Sequence, residues 1–195
     1  MAIEIQVYAP KVDDLLVKPW LDRLLKLGMQ CDIYPAFSFT NHQGYLPFRL
    51  HLLNPTRESF RIGNFLSGFE LTVDDFNPGE FRASQQIPKR GLLSFFKCQS
   101  KTHTSLSPAA EAILNNCRKR LTFRFSPADV FELRLADISS IILMELSNGV
   151  RYLPSDNQWH HEIGFAEDSL SSIEDFERSL PEDGYATHPF EGWPE

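Results

Sequence analysis

The sequence predicts an α+β domain with a predominantly antiparallel sheet and helices packed on one face. Three observations carry that expectation. Apolar residues alternate with polar ones in several short runs, which is the period of a half-buried strand. Two longer apolar stretches repeat at helical spacing and stop at a glycine. Sixteen phenylalanines among 195 residues suit a core of rings laid against a sheet.

Ile3, Ile5 and Val7 alternate with Glu4, Gln6 and Tyr8, and Pro10 ends this first strand. A helix follows: Asp13 or Asp14 caps it, Pro19 suits its first turn, Trp20, Leu21, Leu24, Leu25 and Leu27 give it an apolar face, and Gly28 stops it. Cys31 and Ile33 open another strand that closes at Pro35. Phe37 and Phe39 alternate, "TNHQG" reads as a hairpin turn, and Phe48, Leu50 and Leu52 alternate again; Phe69, Leu71 and Val73 continue the meander.

From Asn77 to Ser107 periodicity fails, and the reading is a long basic loop or insertion. Order returns with Ser107 as N-cap and Pro108 at the first helical position, and basic residues close that helix. Leu121, Phe123 and Phe125 read as a strand, and Phe131, Leu133 and Leu135 as one more. A helix is expected from about Asp137 to a stop at Gly149, with Ile138, Ile141, Ile142 and Leu146 on its apolar face. Val150 to Leu153 returns as a strand. "EIQVYAP…LLKLGMQCDIYP" and "LTFRFSP…LMELSNGVRYLP" share an order of strand, Pro, helix, Gly, strand, so two βαβ-like halves in a ferredoxin-like layout are expected. The domain is placed at residues 1–161 with its insertion near 77–107, and residues 162–195 form an acidic C-terminal extension containing a short helix, Ser169 to Leu180.

Composition narrows the function classes. The formal charge of −7 is concentrated: Glu162 to Glu195 holds ten acidic residues and one basic one, whereas Arg82 to Arg120 holds eight basic residues against Glu111 alone. Cys31, Cys98 and Cys117 are three, widely spaced and without CxxC, which argues against a disulfide framework or zinc ribbon and for a reducing cytoplasm. No apolar run approaches the roughly 18 to 20 residues of a membrane span, and the first residues lack a signal-peptide pattern.

The nearest approach to a chemical constellation is "QWHHE" at 158–162. Adjacent residues on a strand point to opposite faces, so His160 and His161 cannot both enter one pocket, and neither has the spacing of a zinc site. His51, among alternating apolar residues, reads as a sheet-face histidine. Ser94 to Lys97 matches S-x-x-K without its companion motifs, and phosphate-binding, dinucleotide-binding and nucleophile-elbow motifs are absent. No catalytic residue, metal ligand or cofactor is assigned. The basic stretch interleaves Lys89, Arg90 and Lys97 with Phe95 and Phe96, the pattern of a surface that meets nucleic acid or a membrane interface.

"IILMELSNGVRYLPSDNQW", at 141–159, runs an apolar helix into Asn-Gly, an aromatic strand and a turn closed by Trp159. It resembles a module of small bacterial proteins of uncharacterised type, some of them immunity partners of secreted toxins. The resemblance covers about a tenth of the chain and carries no catalytic residue. It implies a cytosolic, non-catalytic protein that masks the basic cleft of a toxin. The expected contact residues are Trp159, Glu167, Asp168, Glu174, Asp175, Glu177, Tyr185, Phe190 and Trp193, because carboxylates with embedded rings combine steering with anchors. Two other classes stay open: a small hydrolase or nuclease using His160 or His161, and an adaptor binding nucleic acid or membrane through the basic insertion.

Overall fold

The computed structural model describes residues 2–40, 42–61, 63–86, 106–126, 129–181 and 186–194. In chain order the elements are β1 (Ile3–Ala9), α1 (Val17–Lys26), β2 (Met29–Ile33), β3 (Gln43–Leu52), β4 (Phe65–Asp75), α2 (Pro78–Gln86), α3 (Pro108–Asn116), β5 (Lys119–Phe125), α4 (Val130–Ser147), β6 (Val150–Leu153), β7 (Gln158–His160) and α5 (Ala166–Ser179). The strands form one sheet in the order β2-β3-β4-β5-β1-β6-β7, and every neighbouring pair is antiparallel.

Because each neighbour reverses direction, strands an even number of places apart run parallel. The unit β1-α1-β2 therefore joins two parallel strands with β5, β4 and β3 between them, and β5-α4-β6 joins two with β1 between them. Those are the two rhyming stretches, each a split βαβ unit, with the β3–β4 hairpin inserted in the sheet.

Alternation decides which face is dry. Ile5, Val7, Leu71, Leu121 and Phe123 are buried in one cluster with Trp20 and Leu24 of α1, Leu135, Ile138 and Ile142 of α4, and Ala166 and Ile173 of α5. Helix α4 is buried on nearly all sides, as a central helix is when neighbours flank it, and the charged side chains it carries inward are paired. Its cap, Asp129, accepts hydrogen bonds from the amides of Phe131 and Glu132 at 2.9 and 3.1 Å. The expected strand at Phe131, Leu133 and Leu135 is therefore helix: three alternating residues also fit a helix when Arg134 between them is buried. The left-handed residue ending α4 is Asn148 (φ 51°), not Gly149. Gly149 serves another need, since a Cβ there would collide with the carbonyl of Tyr8.

Two loop readings also change. Phe37 and Phe39 lie in the connection between β2 and β3, where their rings pack on Trp20 at 6.3 and 5.9 Å, so alternation there reflects loop packing. The expected loop from Asn77 begins as α2, with Asn77 accepting the Gly79 amide at 2.9 Å and Pro78 at the first helical position. Pro-Gly read as a breaker is here a helix start. The rest of the basic stretch, with Lys89, Arg90, Phe95, Phe96, Lys97, Cys98, Lys101 and His103, lies outside the described residues.

Candidate protein-binding surface

Helix α5 carries most of the acidic extension, and its register sorts carboxylates into buried and exposed. Ala166, Leu170, Ile173 and Glu177 form one stripe facing α4. Glu177 is 0% exposed: its Oε1 accepts from Nε of Arg134 at 2.8 Å, and its Oε2 from Nη2 of Arg134 at 2.6 Å and the Thr56 hydroxyl at 2.8 Å. This two-pronged geometry satisfies a charge that burial would otherwise make very costly. Glu177 is thus a clamp within the fold and not part of a steering surface.

Two further clamps fasten the same helix. The Ser169 hydroxyl donates to Asp137 at 2.6 Å, and Asp137 also pairs with Arg151, whose Nε donates to Ser140 at 2.8 Å. The Gly164 amide donates to Glu145 at 2.8 Å, and Glu145 pairs with Arg23. At the C-terminal end, Arg57 donates to the carbonyls of Glu177 and Leu180, where a helix presents unsatisfied oxygens and partial negative charge. Arg134, Asp137 and Glu145 of α4 therefore act as three polar seats for α5 and its lead-in.

With that stripe fixed inward, Glu167, Asp168, Ser172, Asp175 and Phe176 face outward. Phe176 is 41% exposed, and Ile163, just before the helix, is 76% exposed. Glu167 and Asp168 sit in the first turn, where carboxylates suit the helix dipole. Glu174 is half-buried, 3.7 Å from Arg134 and 3.6 Å from Arg178.

The other expected contact residues lie elsewhere. Trp159 points away from α5: its ring stacks on Tyr152 at 4.2 Å and on Tyr8 at 5.7 Å, joined by Phe76 and Phe81. Its neighbour His160 points the other way and stacks on Phe165 at 5.4 Å, where burial and the charge of Arg151 hold its pKa below the ordinary histidine value. His161 lies 3.9 Å from Glu162. Phe190 sits under the guanidinium of Arg49 at 5.8 Å, and Trp193 meets Phe190 at 5.1 Å and Tyr34 at 5.9 Å, so both rings pack on the protein itself. Tyr185 lies outside the described residues. The single surface expected around Trp159 and residues 167–193 is thus divided between the outer face of α5, the far side of the sheet at Trp159, and a segment at 186–194.

Sequence reading missed Arg134 and Glu177 as partners. The available signal was a charged residue at a core-facing register position in each helix. Among the described residues no group of three or more His, Cys, Asp and Glu side chains is placed to hold a metal ion, and no helix is long and apolar enough to cross a membrane. In comparisons with known proteins, no family model, no curated protein and no solved structure matches the chain.

Proposed function

We propose that this chain is a non-catalytic protein-binding protein whose outer α5 face engages a basic partner, in the manner of an immunity protein covering a toxin's basic cleft. The observation that supports this reading is the exposed ring of Phe176 beside Asp175, with Asp168 and Ser172 on the same face of a helix fixed by one buried and two half-buried polar clamps. A rigid helix loses little conformational freedom on binding, so an exposed ring there acts as an anchor while the carboxylates steer encounter. The hydrolase reading and the nucleic-acid or membrane reading gain no supporting observation among the described residues.

The test uses a partner purified by affinity from the source cells and surface-immobilised binding kinetics. Asp168→Lys with Asp175→Lys is expected to slow association at 0.15 M salt, where such charges act over about 8 Å. Phe176→Ala is expected to speed dissociation, at a cost of about 2 kcal/mol for a hot spot. Both residues are exposed, so the fold tolerates the changes. A partner that binds both variants as it binds the parent removes the α5 face from consideration.

A further inference from the structure

The segment at 186–194 crosses the sheet instead of leaving it. The Leu66 amide donates to the His188 carbonyl at 2.7 Å, and the Phe190 amide donates to the Asn64 carbonyl at 2.8 Å, with Pro189 bridged to Phe65. Phe190, Arg49, Trp193 and Tyr34 then form a chain of ring and cation contacts that carries the segment past Arg49 of β3 to the residues that follow β2. There Pro194 forms one wall of a cavity of about 350 Å³, whose other walls include Tyr34, Ser38, His42, Tyr45 and Pro47. That volume falls at the low end of the roughly 300–1,000 Å³ of ligand pockets.

The cavity is built on a fixed frame. Asp14 accepts from the Ser38 hydroxyl and from the Phe39 amide, both at 2.8 Å, and pins the loop that carries Ser38 and His42. The Tyr45 ring lies over Gly68, where a Cβ would come within 2.9 Å of it. His42 bonds the Gly44 carbonyl at 3.1 Å, and burial holds its pKa below the ordinary histidine value. Tyr45 is a phenol at physiological pH as any tyrosine is, and partial desolvation pushes its pKa further up, to about 12. Among the described residues that line the space there is no carboxylate, lysine or arginine.

Two phenol rings, two pyrrolidine rings and an imidazole suit an occupant that is apolar and ring-shaped and whose carbonyl oxygens can accept from the phenol hydroxyls. An extended proline-bearing peptide has these properties, and its polyproline conformation is preformed, which lowers the entropy lost on docking. The chain's own Trp193–Pro194 pair, seated against Tyr34 and the cavity, is a sample of that chemistry. We propose that this cavity is a recognition site for a proline-bearing extended segment of a partner protein, with Pro194 as part of its wall and Trp193 bracing Tyr34 beside it.

The test is calorimetric titration of the full chain with decaproline, and with a Gly-Ser decapeptide as control. Saturable binding of decaproline below about 1 mM is expected, without binding of the control. Tyr34→Ala and Tyr45→Ala are each expected to weaken it at least tenfold, and Trp193→Ala several-fold. Tyr34 is half-buried and Tyr45 is exposed, so circular dichroism and melting should show an intact fold in both. No saturable binding, equal binding of the control peptide, or undiminished binding by the two tyrosine variants overturns the proposal. Tighter binding by Trp193→Ala also overturns it, by making the segment a competitor instead of a wall. None of these outcomes bears on the α5 face, which lies elsewhere on the molecule.

Discussion

On the helix-covered face of the sheet, charged side chains are few and buried; on the opposite face they are many and exposed. Arg151 faces α4 and pairs with the partly buried Asp137, while Arg134 and Glu177 meet beneath α5, and Arg151, Arg134 and Glu177 are shut away from water. One residue along in each strand, Glu4 pairs with Arg124 at 3.0 Å, Asp74 with Arg120 at 3.0 Å, and Asp32 with Arg49, each pair open to solvent. The register sets Arg124 between Glu4 and Glu70. A count of ion pairs would rank the open face as the better stabilised. Physical chemistry reverses that ranking, because exposed pairs are screened and lose side-chain entropy, whereas breaking a buried pair strands a charge in a dry site.

That contrast can be broken by experiment, beginning where the effect is largest. Glu177→Ala leaves Arg134 buried without its main partner and is expected to cost about 3–5 kcal/mol in urea denaturation. Replacing the pair together, as Arg134→Met with Glu177→Leu, is expected to recover most of that loss. If the single variant loses less than 1 kcal/mol, the clamp is not what seats α5. For the same reason, reversing Glu174, Asp175 and Glu177 together would damage the fold before it tested any surface.

Trp159→Ala should cost less, about 2 kcal/mol, since it removes ring stacking on Tyr152 and Tyr8 from a site already half open to water. Melting temperatures of the variant and parent check it, and a loss equal to that of Glu177→Ala would erase the distinction between the faces. A smaller effect is expected from His160. Its folded pKa lies below the ordinary 6.5, so the native state favours the neutral ring. Its contribution is present above about pH 6.5 and is lost as pH falls through the folded value. His160→Gln should flatten the stability profile in that window and, through the lost stacking on Phe165, lower it by a pH-independent amount above it; a profile of the same shape as the parent's would show that His160 is not responsible for the slope. Smallest of all is Arg124→Ala, expected within 1 kcal/mol and fading further at 1 M salt. A salt-independent loss above 2 kcal/mol would mean that the open face carries structural weight after all.

The fold was legible because most strands have one dry face and one wet one, and alternation in β1, β3, β4 and β5 records it directly. Capping chemistry placed α3 through Ser107 and Pro108. What misled were segments where two periods coincide or a breaker is used as a cap: Phe131 to Leu135 alternates and is helical, and Pro78-Gly79 opens α2. The acidic extension was visible as composition, but composition does not report register. Glu177 and Asp175 are equivalent as letters, and only the seating of α5 on α4 makes one a buried clamp and the other a surface charge. The cavity near Tyr34 was invisible for a different reason, since one of its walls, Pro194, lies far along the chain from the others, which fall between Tyr34 and Pro47.

The position of β1 has a consequence for how the chain reaches this structure. It lies between β5 and β6, and Ile3 pairs with Phe125, more than a hundred residues later. During synthesis at roughly 5–20 residues per second, β1 therefore waits on the order of ten seconds for either neighbour to exist. The β3–β4 hairpin can close in the meantime, but β1 cannot pair, and both its backbone edges and its Ile3, Ile5 and Val7 face stay available to other chains. High contact order of this kind slows folding and makes the nascent chain a client for holdase chaperones, so yield in rapid overexpression should depend on synthesis rate more steeply than on final stability.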